Sequence, residues 1–377
     1  MNFEPNEEQR ALADSVARLL ADTYAFEQRR AIAASAAGWS EPVWKQLARL
    51  GVTALPLPEA HGGYGGTAAD LLPVMEEFGK ALVLEPYLAS VVLGATALRL
   101  GADADQQARW LPGVASGEVR LAWAHDEAGA RHAPLWIETR ARRHGARWVL
   151  DGVKCNVLQA PAAHRIVVSA RSAGAPDARA GVALFLVEAQ AQGFDCRSHR
   201  LVDDSPAGEL RFDAVEAQPL GNTDDAERAL AAIDGTLAFA IAAVSADAVG
   251  AMAAAHRLAL TYLNTRKQFG RLIGENQALR HRAAEMQVSL EICRSMAIAA
   301  AVAADDPQAP DARADLMRAK LMIGRHGRSL CHHAIQLHGG IGMTEEYAVG
   351  HYLRRVTLID QLFGDADAQA ARLAVLE

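Results

Sequence analysis

Apolar residues recur at helical spacing through residues 6–110: Ala11, Val16, Leu19 and Leu20 in one stretch, Leu71, Leu72, Met75 and Phe78 in another. That three-to-four-residue repeat marks amphipathic helices. Pro42 behind Glu41 suits a helix start and Gly51 a helix stop. Leu57-Pro58-Glu59-Ala60-His61-Gly62-Gly63-Tyr64-Gly65-Gly66 is too rich in glycine and proline to be anything but a surface loop. It reads either as a plain connector or, through His61 and Tyr64, as a pocket wall. After Pro112-Gly113 the pattern shortens. Leu121–Ala124, Trp136–Arg140, Arg147–Leu150, Arg165–Ala170, Val182–Val187 and Glu209–Phe212 read as strands, with Asp151-Gly152 and Gly193-Phe194 as turns. Strands in series without alternating helices predict a small barrel or sandwich. No glycine-rich nucleotide fingerprint follows any of them, which argues against a Rossmann domain. From Ala226 the helical period returns, predicting helices over 226–264, 276–303, 310–338 and 344–374. Asp305-Asp306-Pro307 separates the second from the third, and Pro310 suits the third's first turn. Helices of this length need neighbours, so a bundle is expected. Ala248, Ala251, Ala253, Ala254 and Ala255 permit close helix contacts, and suggest that the bundle extends into a subunit interface. The expectation is an α+β multidomain chain: a helical N-terminal domain over 1–118, a barrel-like middle β domain over 119–222 and a C-terminal four-helix bundle over 223–377.

Composition narrows the partners. The 377 residues are 51% hydrophobic and 22% charged, enough for a large core and two or three domains. A net charge of -7 gives no bulk field for nucleic acid. Cys155, Cys196, Cys293 and Cys331 lack paired spacing, against a zinc site or a disulfide framework. His281, His332, His333 and His338 read as packing or polar residues, with His332 and His333 on different helix faces. Met1–Arg10 is polar and acidic with no hydrophobic signal core, and no uninterrupted apolar run reaches the ~18 residues of a membrane span. A soluble cytoplasmic protein is expected.

Two corners carry candidate chemistry. Gln336-Leu337-His338-Gly339-Gly340-Ile341-Gly342 places two side-chain-free positions between helical runs, where the chain can bend sharply or a ligand can lie against it. Thr265-Arg266-Lys267-Gln268-Phe269-Gly270 sets two cations and an aromatic at a helix end. Together they suggest an anionic, partly flat ligand. For Arg266 the plainer reading is a surface cation favoured by the helix dipole, and for Gly339-Gly340 a simple helix corner.

The three-part layout, these two corners, Gln277-Ala278-Leu279-Arg280-His281-Arg282 with Met286, Met343-Thr344 and Tyr352-Leu353-Arg354-Arg355 resemble the acyl-CoA dehydrogenase family over nearly the whole chain. The later part is most similar to the small-subunit type of pimeloyl-CoA dehydrogenase, a group that pairs unlike subunits. The resemblance implies FAD as cofactor. It implies a place for Arg266 and Phe269 beside the FAD pyrophosphate and adenine, and for Gln336, Gly339 and Gly340 against the FAD of a neighbouring subunit. An arginine fork can hold two phosphate oxygens, and glycines let backbone amides approach. The reaction implied is oxidation of an acyl-CoA to its 2-enoyl thioester: a carboxylate takes the α proton and the flavin accepts hydride from the β carbon. Implied partners are acyl-CoA, electron-transfer flavoprotein as acceptor, and further subunits in a homo-oligomer or an α2β2 heterotetramer.

The sequence departs from the family in two places. The segment that commonly presents Thr or Ser to the flavin is here Asp126-Glu127-Ala128-Gly129-Ala130-Arg131. The flavin strand, commonly Trp-Ile-Thr/Ser-Asn-Gly, is Asn156-Val157-Leu158-Gln159-Ala160, and Leu158 has no hydroxyl to donate. The family's base positions fall at Phe363 and Ala240, neither a carboxylate. Two acids lie nearby. Asp247 is seven residues beyond Ala240, about 10 Å along nearly the same helix face, in an apolar run where desolvation would raise its pKa. It is the candidate base; the other reading makes it the partner of an arginine from another helix or of a capping hydrogen bond. Asp360 precedes Phe363 by one turn, with Arg354 and Arg355 close in sequence. Arg257 and Arg280 read as ion-pair or phosphate contacts. The readings left open are an acyl-CoA dehydrogenase or one subunit of it, a catalytically silent flavin-binding or scaffolding partner, and a flavin monooxygenase or nitroalkane oxidase on the same fold.

Overall fold

The computed structural model describes residues 5–145 and 147–376; Met1–Glu4, Ala146 and Glu377, which belong to the expected domain ranges, lie outside them. Helices α1 (Glu7–Thr23), α2 (Phe26–Ala34), α3 (Glu41–Arg49) and α4 (Ala68–Ala81) come first. A π-helical stretch, Leu88–Ala95, runs into α5 (Thr96–Gly101), and α6 (Ala104–Ala115) follows. Side-chain caps account for several starts: Asn6 and Asp103 form capping boxes with Gln9 and Gln106, and Ser40 accepts from Val43 N with Pro42 in the first turn. Gly51, at φ 80°, ends the α3 segment as its position suggested.

Seven strands follow: β1 (Leu121–Ala124), β2 (Arg140–His144), β3 (Arg147–Leu158), β4 (Arg165–Arg171), β5 (Val182–Glu188), β6 (Phe194–Arg200) and β7 (Pro206–Leu220). Their order β1-β4-β2-β3-β7-β5, with β5 also paired to β4 and β6 paired to β7, closes the sheet on itself. The expected barrel-like domain is therefore present. Its interior holds Leu150, Ile166, Val168, Phe185, Leu210 and Val215, all fully buried.

Two expectations in this region need correction, and one strand, β6, lies outside the expected set. Trp136–Thr139 is not a strand: Glu138 N and Thr139 N donate to the Glu127 carboxylate, and Trp136 N and Ile137 N to the carbonyls of Ala133 and Pro176. Asp151-Gly152 is not a turn but the bulge inside β3, where the register with β7 shifts between Leu150 and Gly152. Glycine is required there, because a Cβ would lie 2.8 Å from the Thr139 backbone. Strand β6, whose exposed positions are mostly polar or charged, gave no apolar pattern to read.

The C-terminal part contains α7 (Ala226–Thr265), a short hairpin β8 (Lys267–Gln268) and β9 (Arg271–Leu272), α8 (Gln277–Asp305), α9 (Ala312–His338), α10 (Val349–Gln361) and α11 (Ala366–Leu376). The helix expected over 344–374 is two helices. It breaks at Phe363 (φ 60°) and Gly364 (φ 95°), where the chain turns through left-handed geometry. By length and composition α7 and α8 could each cross a bilayer; the apolar window of α7 is 89% buried inside the fold, as in a core helix.

Two compact units emerge. One gathers Met1–Arg30, Ala68–Val83 and Ile241–Glu377; the other gathers Ala31–Thr67 and Leu84–Ala240. In the first, α4 and α7 meet backbone to backbone. A Cβ on Gly79 would stand 1.9 Å from the Asp247 carbonyl oxygen, and one on Gly250 would stand 2.0 Å from that of Glu76. Ala248, Ala251, Ala254 and Ala255 are buried along the same helix, so small residues set this spacing. Asp305, at the end of α8, caps α4 by accepting from Ala68 N at 2.6 Å and Ala69 N at 3.2 Å.

Candidate functional site

The two corners singled out by sequence converge on one end of the bundle-containing unit. The Arg266 amide donates to Tyr262 O at 2.9 Å and its carbonyl accepts from Ile273 N at 2.9 Å, so its backbone is fixed. Its guanidinium makes no hydrogen bond or ion pair with the described residues and is exposed. The hairpin turns on Phe269 (φ 52°) and Gly270 (φ 81°), the two left-handed residues of a tight two-residue loop. Phe269 is fully exposed at its tip, a position a bulky aromatic adopts only at a cost in backbone energy. Four residues before Arg266, the Tyr262 ring lies 4.7 Å from that of buried His338, which in turn lies 5.0 Å from Tyr347. His338 is the last residue of α9, immediately before Gly339. These ring contacts bring the end of α7 to the end of α9.

Gly339 has φ 64° and ψ -141°, a conformation reserved for glycine. At Gly340 neither a positive φ nor a neighbour requires glycine: none of the described residues lies within 4 Å of where a Cβ would stand. Gln336, Gly339 and Gly340 are all exposed. The surface is therefore open for another body to approach the backbone. An uncommitted arginine fork, an exposed aromatic and a side-chain-free backbone corner fit the phosphates and rings of a dinucleotide such as FAD.

Both acids near the expected base positions are engaged. Asp247, buried on α7, receives a two-pronged grip from Arg355 on α10: Nε to Oδ1 at 3.0 Å and Nη2 to Oδ2 at 2.9 Å. Arg355 Nη2 also donates to Val83 O at 2.9 Å. Asp360, likewise buried, accepts from Ala366 N at 3.1 Å and from Arg328 Nη1 at 3.4 Å, which caps α11. The arginines adjoining Asp360 in sequence turn elsewhere: Arg355 to Asp247, and Arg354 to Glu345. The corner at Phe363 is held by Gln369 Nε2 on its carbonyl at 2.9 Å. Lys320, fully buried, donates to Ile359 O at 2.7 Å and Asp360 O at 2.9 Å; burial pushes its pKa down to about 8. Sequence reading missed Lys320 and Arg355 in these roles. Their partners are 40 and 108 residues away, and a lone cation in a helical repeat carries no signal for such a contact.

In the closed-sheet unit, the departing segment after β1 is anchored from inside. Glu127 and Lys154 form a buried pair at 2.7 Å. Lys154 also donates to His125 O and Ser169 Oγ, each at 3.0 Å, and Glu127 accepts from Thr139 Oγ1 at 2.7 Å. His125 Nδ1 lies 2.8 Å from Ser169 Oγ, and burial pushes this imidazole down to about 3. The segment Asn156–Ala160 begins in a bulge, where the register with β7 shifts between Lys154 and Val157, and Gln159, at φ 52°, donates through Nε2 to Leu84 O at 2.5 Å.

With this geometry in hand, comparison with known proteins places the chain. Residues 6–118, 121–215 and 230–375 match the N-terminal, middle and C-terminal domains of acyl-CoA dehydrogenases. Acyl-CoA dehydrogenase FadE12 of Mycobacterium tuberculosis is 32% identical over 355 residues, covering 92% of this chain and 90% of its own length. A variant of the Tcur3481-Tcur3483 steroid ACAD superposes with a TM-score of 0.88 at 32% identity, covering 98% of this chain and 97% of that one. A chain of the ChsE4-ChsE5 complex from Mycobacterium tuberculosis shares the fold, with a TM-score of 0.87 at 24% identity over 100% and 98% of the two chains. The chain belongs to the acyl-CoA dehydrogenase family. Its general role is that of an oxidoreductase of this type.

Proposed function

We propose that this chain takes part in the FAD-dependent α,β-dehydrogenation of an acyl-CoA thioester to a 2-enoyl-CoA as one subunit of a hetero-oligomer, with a second acyl-CoA dehydrogenase chain supplying the base. The observation that carries the division is that Asp247 and Asp360 are both committed, to Arg355 and to the start of α11, while Phe363 occupies the corner between α10 and α11. A carboxylate held by two charge-assisted bonds would have to give them up to take an α proton.

Arg266 would hold the pyrophosphate of FAD, Phe269 would cover the adenine, and Gln336, Gly339 and Gly340 would lie against the FAD of a neighbouring subunit. When bound, FAD supplies the two-electron acceptor that the oxidation needs. Electron-transfer flavoprotein is the proposed onward acceptor. Assembly is supported by α8, where Ala284, Val288, Ala299 and Val302 form part of an apolar stripe; Val288 is 61% exposed.

A second reading keeps the base in this chain. Asp247 is a buried carboxylate on α7, and transfer of Arg355 to substrate would free it. The test is co-expression with acyl-CoA dehydrogenase chains encoded nearby, followed by acyl-CoA-dependent dye reduction. The substrates would run from short straight chains to a steroid-bearing acyl group, the class named for the Tcur3481-Tcur3483 relative. Activity confined to a two-chain complex supports the proposal; full activity of this chain by itself removes it.

A further inference from the structure

The closed-sheet unit carries a groove of about 1260 Å³ lined by residues of α6, β2, β3, β4, β5 and β7. Cations on aromatic rings dominate it. Arg109 stands 4.8 Å from the centre of the Trp110 ring and Arg165 stands 5.1 Å from it, while Arg143 stands 5.4 Å from that of Trp148. Arg165 is paired with Glu188 at 2.7 Å, and Arg147 with Glu216 at 2.7 Å. Asp213 is the further acid on the wall. Arg109 and Arg143 have no hydrogen-bond or ion-pair partner among the described residues, and Trp110 Nε1 is buried without one.

Stacking on an indole fixes a guanidinium plane and leaves its N–H edge free, the arrangement that takes a carboxylate two oxygens at a time. In a chain of net charge -7 such a groove is a local exception to the overall field. Its volume is above the ~300–1,000 Å³ usual for small-molecule sites, which suits an extended segment. Both rings already carry guanidinium groups, which leaves less face for a nucleotide base to stack on.

We propose that this groove docks an acidic segment of a partner protein, with Asp or Glu side chains received by Arg109 and Arg143. The probe is a fluorescein-labelled peptide of ten glutamates, followed by fluorescence anisotropy against the full-length protein at low and moderate salt. Wild type should bind, with affinity falling as salt rises. Arg109→Gln with Arg143→Gln should weaken binding at least tenfold without changing the thermal midpoint, whereas Arg18→Gln, on the surface of α1, should leave it unchanged. The Lys pair at the same two positions keeps charge but not the fork and should fall between. No binding by wild type, equal binding by the Gln pair, or a groove that takes ADP but not the peptide would overturn the proposal.

Discussion

Asp247 and Arg355 face each other across α7 and α10 through two parallel hydrogen bonds of 3.0 and 2.9 Å, with side chains only 6% and 13% exposed. A pair this buried loses much of its attraction to desolvation, yet breaking it strands a charge. Asp247→Asn should therefore lower stability by about 3–5 kcal/mol, read by denaturant unfolding. Replacing both partners, Asp247→Leu with Arg355→Met, should recover most of that loss. In the assembled enzyme Asp247→Asn should keep substrate-dependent flavin reduction within a few-fold of wild type. Abolished reduction in a folded, flavin-loaded variant would make Asp247 the base.

The close crossing of α4 and α7 gives a sharper stability test. Gly79→Ala or Gly250→Ala would push a methyl to within 1.9–2.0 Å of a backbone carbonyl oxygen, which cannot move as a side chain can. Each should destabilise by roughly 1–3 kcal/mol or more, against a small gain for the same change at an unconstrained helix position. An unchanged melting temperature would show that the helices do not approach this closely.

Flavin retention tests the corner at Arg266. Arg266→Ala should raise the dissociation constant for FAD by roughly tenfold or more, since a charge-assisted hydrogen bond is worth about 1.5–3 kcal/mol. The far-ultraviolet spectrum should not change, because this exposed side chain makes no hydrogen bond or ion pair with the described residues. Retained flavin with slowed turnover would place Arg266 elsewhere in the reaction.

His125 gives a pH signature. Its folded pKa is down to about 3, below the ordinary 6.5 of an unfolded imidazole. Between those values the unfolded chain binds a proton that the folded chain refuses, so stability from this group is present above pH 6.5 and lost as pH falls toward 3. His125→Asn removes that titration and should flatten the acid limb of stability over this window. An identical acid limb in both proteins would show that His125 is not the neutral buried group its contacts with Ser169 and Trp123 describe.

Much of the fold was legible because long amphipathic repeats and alternating strands are local patterns. The helix ends near Thr265, Asp305 and His338 fell within a residue or two of the expected places. What escaped were features set by distant partners. Trp136–Thr139 has a strand's composition but gives the amides of Glu138 and Thr139 to Glu127. Asp151-Gly152 has a turn's composition but sits in a bulge shaped by Thr139. The break at Phe363 was hidden because a phenylalanine in left-handed geometry carries no turn signal of its own. At the site, the corners at Arg266 and Gly339 stood out as local composition, whereas the Asp247–Arg355 pair spans 108 residues and shows no spacing rule.

The most direct measurement is an anaerobic titration of the purified, FAD-reconstituted chain with acyl-CoA, first alone and then bound to a second acyl-CoA dehydrogenase chain. The account predicts that flavin colour persists in the chain alone and bleaches in the two-chain complex. Stoichiometric bleaching of the chain by itself, lost on Asp247→Asn, would contradict it.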